Sequence, residues 1–236
     1  MAARLLAGVM LAGVMASVSL AAPVLRVELS GDYRALRAST PDVVPGGFEQ
    51  ELAERLGASL QRPVAIGGSA AADLVIGAQE QGAAFYQSAM AALSAAEGGV
   101  EGWQQLRGLP FCVAQGSPYG EQVVKRFGGH RREYPSAAHA LIGLKLGECQ
   151  AVVEDSRLLA DIAPLPEWRR YNRLLPTLDE VGVTLRAKAG EPALQAQVEE
   201  KLEAWRRDAS LEQLIQHWVD EVAFQAYVLA DTLDCH

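Results

Sequence analysis

At 236 residues, half of them hydrophobic and 21% charged, the chain can bury one large core or two smaller ones, and its composition is that of a globular protein. The formal net charge of −8, with no Lys/Arg-rich run to offset it, argues against nucleic acid or an anionic membrane surface as a partner. No low-complexity tract and no repeat with a period of about 20–50 residues is evident.

Residues 1–21 read as a leader. Arg4 is the only charge, the apolar run Leu5–Val18 is too short to span a bilayer comfortably, and Ser19-Leu20-Ala21 fits a small-x-small cleavage rule, so Ala22 would begin the mature chain. An uncleaved N-terminal anchor is the alternative. The cleavage site carries no cysteine, so lipidation is not expected.

Val24–Leu29 alternates, with Leu25, Val27 and Leu29 on one side, as a strand does. Gly31-Asp32-Tyr33 turns away from it, and Thr40–Gly47 is a loop punctuated by Pro41 and Pro45. A helix then starts at Gly47, with Phe48, Leu52, Leu56 and Leu60 in one stripe. Pro63–Ile66 and Asp73–Ile76 are short strands. Tyr86–Ala95 is apolar and suits a crossing between two halves, after which Gly98-Gly99 loosens the chain.

The stretch Leu109–Gly120, LPFCVAQGSPYG, carries the first chemistry. An apolar strand feeds a helix through a glycine turn, with Ser117 suited to cap the helix and Pro118 to its first position. Such a helix start offers unpaired backbone N–H groups to a small anion, or is simply an ordinary strand-to-helix turn. The second stretch, Leu141–Ser156, reads as a helix end, a stop at Gly147 and a buried strand finishing in Glu154-Asp155-Ser156. Cys149 enters this strand as Cys112 enters the first; on neighbouring parallel strands the two thiols would come within bridging distance. Ala137–Lys145 and Ser156–Ile162 read as helices, and Val181–Ala187 as the return crossing. Glu191–Arg206 is a helix with Leu194, Val198, Leu202 and Trp205 inward. Ser210, with Gln213 three residues on, opens another through a capping-box pattern, its core face Leu211, Leu214, Ile215 and Trp218. The tail 221–236 carries no assignment.

The order of these pieces resembles that of the type 2 periplasmic solute-binding proteins for polar amino acids. The strand with Cys112, the Gln115-Gly116-Ser117 turn and L-x-x-G-E-C-Q-A-V-V-E-D-S resemble the family's second lobe. LRVELSGDY, GFEQELAERL and ADLVIG resemble its first strand, its G-F-[DE]-x-[DE]-L helix and the strand ending in its first-lobe pocket. The resemblance covers most of residues 24–220. It implies an α/β, two-lobe type 2 fold with a ligand cleft between the lobes and two crossover segments. Lobe 1 would begin with residues 22–97, lobe 2 would be 98–180, and the return crossover and C-terminal helices, 181–236, would pack on lobe 1. Some members carry a cysteine pair at the places of Cys112 and Cys149, so that disulfide is expected, and export permits it. Cys235 is left either to pair between chains or to stay free.

With Arg34 as a stand-in for a residue the family has elsewhere, the resemblance implies a ligand site of Asp32, Tyr33, Arg34, Gly77, Gly116, Ser117, Tyr119 and Asp155. Asp155 would hold an ammonium group, unless it only caps the next helix; Ser117 and its backbone neighbours would receive a carboxylate. The first lobe departs from the pattern. Arg34-Ala35-Leu36-Arg37 stands where the family has a proline and an aromatic, and Gly77–Gly82 has no counterpart of the family's carboxylate-binding arginine. Arg34 or Arg37 would have to substitute, or be surface charge.

Enzyme signals are thin. His130, His139, His217 and His236 show no metal spacing, and no Cys/His cluster, G-x-S-x-G or P-loop is present. No metal, no cofactor and no nucleic acid is therefore expected. The expectation is an exported, periplasmic, monomeric binder of a small polar solute, with an amino acid as the implied class and membrane subunits of an ABC importer as partners. The alternatives are an accessory or sensory protein with a degenerate cleft, and a dehydratase with Glu154 or Asp155 as acid.

Overall fold

The computed structural model describes residues 22–31, 33–34, 36–37, 47–67 and 71–233. The leader, Asp32 and Cys235 lie outside the described residues.

Strand β1 (Leu25–Ser30) buries Leu25 and Val27 and leads to helix α1 (Phe48–Ser59), whose stripe Phe48, Leu52 and Leu56 is fully buried. Strands β2 (Val64–Ile66) and β3 (Leu74–Ala78) pair with β1 on its two sides, both parallel to it. At the end of β3, Gly77 has a φ of 144°, and an added Cβ would meet Ser30 at 2.5 Å, so β1 and β3 close on each other only with glycine there.

Strand β4 (Ala83–Ser94) is twelve residues long. Beyond it come β5 (Pro110–Ala114), α2 (Pro118–Phe127), β6 (His130–Tyr134), α3 (Ala137–Lys145), β7 (Ala151–Asp155) and α4 (Ser156–Ile162). Strand β8 (Arg173–Leu174) is short, β9 (Leu178–Ala189) is the second twelve-residue strand, and helices α5 (Pro192–Arg207) and α6 (Ser210–Leu233) finish the chain.

The strands form one sheet in the order β2-β1-β3-β9-β4-β7-β5-β6, with β8 beside β4. The two long strands make the passage between its halves. From Ala83 to Ala89, β4 runs antiparallel to β9; from Met90 to Ser94 it runs antiparallel to β7. β9 in turn pairs with β3 through Leu74–Ala189. These are the two crossings expected at Tyr86–Ala95 and Val181–Ala187. The apolar residues of both halves join one core, with Trp103, Trp168 and Trp218 inside it and Trp205 packed at its edge.

Cys112 and Cys149 are joined, with their Cα atoms 5.7 Å apart. β5 and β7 are parallel neighbours, and Gln150 N–H donates to Pro110 O, which brings the residue before it level with the start of β5.

One local expectation is corrected, and two segments that carried no assignment take a form. The tail is helical: α6 runs on to Leu233, burying Val222 and Ala226 after Trp218 and Val219. It lies against α1 and α5 and also against α3 and α4. Second, Ser210 does not make a capping box. Its hydroxyl donates to Asp208 Oδ1 at 2.5 Å, and Gln213 N–H bonds to Ala209 O instead. Third, His130–Tyr134 is a strand, paired with β5 at the sheet's edge.

Candidate functional site

The seam between the halves lies where β4 leaves β9 for β7. β7 is buried throughout and ends in the adjacent carboxyls Glu154 and Asp155, both fully buried. Glu154 Oε1 accepts from Ala114 N–H, at the end of β5, at 2.7 Å. Its Oε2 accepts from the Tyr33 hydroxyl at 3.5 Å, and Tyr33 comes from the segment after β1. The Tyr33 ring meets that of Tyr119, in the first turn of α2, edge to face with centroids 6.0 Å apart. Residues from both ends of the chain's first 155 thus meet in one buried contact.

Asp155 has a divided role. Oδ1 caps α4, accepting from Arg157 N–H at 2.9 Å and Leu158 N–H at 3.3 Å. Oδ2 is buried and carries no hydrogen bond, and the same is true of the hydroxyls of Tyr86 and Tyr119. An unpaired buried polar atom costs about 1–3 kcal/mol, and the hydroxyls of Tyr86 and Ser88 lie near enough to Asp155 to favour its ionised form.

Burial dominates the acid–base behaviour. It pushes Glu154 up to about 8, partly offset by the Ala114 N–H. It also raises Asp155, with the hydroxyls of Tyr86 and Ser88 beside it opposing the shift. Tyr33, Tyr86 and Tyr119 are all raised, first by burial and then by the neighbouring carboxyls. Ser88 Oγ lies 3.0 Å from Ser156 Oγ, tying β4 to the start of α4. Arg157 sits on the outer side, its guanidinium 5.6 Å over the Tyr86 ring and paired with Glu212. A surface cavity reaches Tyr86 from that side, between Gln87, Arg157 and Leu211.

Of the residues singled out in the sequence, Tyr33, Tyr119 and Asp155 come together here. Arg34 serves the chain itself: its guanidinium donates to the carbonyls of Leu29, Ser30 and Tyr33 at 2.9–3.1 Å. Gly77 acts through its backbone, as described. Gly116, with a φ of 77°, makes the turn, and Ser117 caps α2 by accepting from Tyr119 N–H at 3.4 Å. Tyr86 and Ser88 carried no sequence signal beyond their place in an apolar strand. Glu49, in the first turn of α1, is a further buried carboxyl with both oxygens unpartnered, raised by burial to about 7. No group of three metal-ligating side chains gathers among the described residues.

No protein-family model and no curated protein matches the sequence. Solved structures do match the fold. A mutant ArgBP from T. maritima has a TM-score of 0.58 at 17% identity, over 84% of this chain and 95% of its own. AncCDT-1, an ancestral amino-acid-binding protein and a precursor of cyclohexadienyl dehydratase, has a TM-score of 0.61 at 18% identity, over 83% and 95%. A histidine kinase sensor domain with similarity to periplasmic binding proteins has a TM-score of 0.57 at 17% identity, over 83% and 95%. With two crossing strands, paired half-sheets and these neighbours, the chain has the α/β fold of the two-lobe, type 2 periplasmic binding proteins.

Proposed function

We propose that the protein is an exported receptor that captures a small polar solute between two lobes, residues 22–97 with 181–236 and residues 98–180, without transforming it. The observation that carries this reading is the buried contact of Tyr33 with Glu154 and Tyr119, beside three oxygens without hydrogen bonds. Groups desolvated at such expense, at the seam of a fold whose solved neighbours include amino-acid-binding proteins, suit a ligand that supplies the missing partners. Export and a periplasmic site agree with the leader-like residues 1–21; among the described residues no helix is long and apolar enough to cross a membrane. Delivery to an ABC importer is the use this fold serves in a neighbouring substrate-binding protein of an amino acid ABC transporter. A sensory use of the same capture is supported by the kinase sensor domain that shares the fold.

The test is a thermal-shift screen of the oxidised mature protein against amino acids, amines and small organic acids. A ligand at about 100 times its dissociation constant adds about 2.7 kcal/mol, a shift of several degrees at this size. A shift abolished in Asp155→Ala supports capture at the seam. A flat screen from folded protein overturns it, and turnover of any ligand, with loss in Glu154→Gln, would replace capture with catalysis.

A further inference from the structure

We propose that the contact of Tyr33 with Glu154 is a proton-controlled clasp: the two halves of the molecule close while Glu154 carries its proton and part when it ionises. The clasp rests on the two-lobe fold and does not require a captured solute.

Glu154 stands where parting the halves would release it. Its Oε1 accepts from Ala114 N–H, at the end of β5, on its own half of the sheet. Its Oε2 accepts from the Tyr33 hydroxyl, on the segment after β1 and so on the other half, at 3.5 Å. The hydrogen bond across the seam is therefore the long one, and the short one survives opening. Tyr33 also meets the Tyr119 ring edge to face, an uncharged contact that favours closure at every pH.

The surroundings of Glu154 suit a neutral acid and not an anion. The titratable groups facing it are Tyr33 from the segment after β1, Tyr119 from α2 and Asp155 beside it on β7, and none of them is a cation. No salt bridge reaches Glu154 or Asp155 among the described residues. Arg34 spends its donors on the carbonyls of Leu29, Ser30 and Tyr33, and Arg157 is paired with Glu212. Ionising Glu154 in the closed form buries an unpaired charge next to a second carboxyl, which one long bond from Tyr33 does not offset. Opening lets water reach the carboxylate while the Ala114 N–H stays on it, at less cost than unfolding.

The direction with pH follows from linkage. Burial lifts Glu154 from 4.5 to about 8 in the closed form, whereas a hydrated carboxyl titrates near its ordinary value. Closing therefore takes up a proton between those limits. The closing constant falls by up to about tenfold per pH unit from 4.5 to about 8 and levels off above. Glu49, raised by burial to about 7, lies in α1 and faces Arg34 and Arg37 on its own half, so its ionisation does not act on the seam.

The experiment is small-angle X-ray scattering of the oxidised, ligand-free mature protein across this pH range, with far-UV circular dichroism on the same samples. The radius of gyration is expected to rise from pH 5 to pH 8.5 with the dichroism unchanged, and to fall again on return to pH 5. Glu154→Gln is expected to keep the compact radius at both ends, and Glu49→Gln to open as the wild type does. If Glu154→Gln does not fold, Glu154→Met, of similar length and uncharged, takes its place. A constant radius in folded wild type overturns the clasp. So does opening of the uncharged variant to the same extent as the wild type, or loss of opening in Glu49→Gln. Each of these results leaves solute capture standing, since capture is overturned only by the flat ligand screen.

Discussion

The hydroxyl of Tyr33 meets the carboxyl of Glu154 at 3.5 Å, 121 residues apart in sequence and both buried. The contact joins the segment after β1 to the end of β7, so its strength is part of what holds the two halves of the sheet closed.

Glu154 makes stability depend on pH in an uncommon direction. Its folded value of about 8 lies above the ordinary 4.5, so between those limits the folded state keeps a proton that the unfolded chain has lost. Stability is therefore greatest at the acid end and falls as pH rises from 4.5 to about 8. Glu49, raised to about 7, adds to the same slope below pH 7. Urea midpoints of the wild type are expected to drop between pH 5 and pH 8.5. In Glu154→Gln the drop is expected to shrink, with a gain at pH 8.5 on the order of a few kcal/mol and little change at pH 5.

Tyr33 separates hydrogen bonding from packing. Tyr33→Phe keeps the edge-to-face contact with Tyr119 and removes only a long hydrogen bond, so a loss of about 1 kcal/mol or less is expected by denaturant unfolding. Tyr33→Ala empties the space against Tyr119 and is expected to cost about 3–5 kcal/mol.

The Cys112–Cys149 bond closes a sequence separation of 37 residues. In the chain-entropy description that is worth about 4 kcal/mol, so reduction or the Cys112→Ser/Cys149→Ser pair is expected to lower Tm by about 10 °C. Calorimetric scans with and without reductant check this, and the serine pair should be insensitive to reductant.

Beside this bond, α3 comes so near β5 and β6 that only glycine fits at position 143. A Cβ there would meet the Tyr134 ring and hydroxyl at 2.6 Å and Cys112 Sγ at 2.9 Å. Gly143→Ala is expected to destabilise by about 1–3 kcal/mol despite the better helix propensity of alanine. Thermal unfolding of the oxidised protein tests the sign.

Much of this molecule was legible in its residues. The alternation of Val24–Leu29, the stripe Phe48-Leu52-Leu56 and the strand–turn–helix at Leu109–Gly120 are local patterns, and local hydrophobic period fixes element type. The cysteine pairing was legible from two parallel strands, although Cys149 lies two residues before β7 while Cys112 is within β5. Other elements had no such signature. β6 is HRREY, an exposed edge strand held by backbone pairing with β5, and it shows no apolar alternation. The end of α6 buries Val222 and Ala226 yet leaves Phe224, Tyr227 and Val228 exposed, so apolar residues lie all around it and no stripe stands out. Asp155 could be read as a cap or as a binding group; the fold uses Oδ1 for the cap and leaves Oδ2 bare. The sequence alone determined most of the elements and their order, because these depend on neighbours along the chain. Only the tertiary structure decided that Arg34 turns back on its own backbone and that Tyr33, Tyr86 and Tyr119 surround two carboxyls. Burial and hydrogen-bond partners are set by residues far apart in sequence, which no local pattern records.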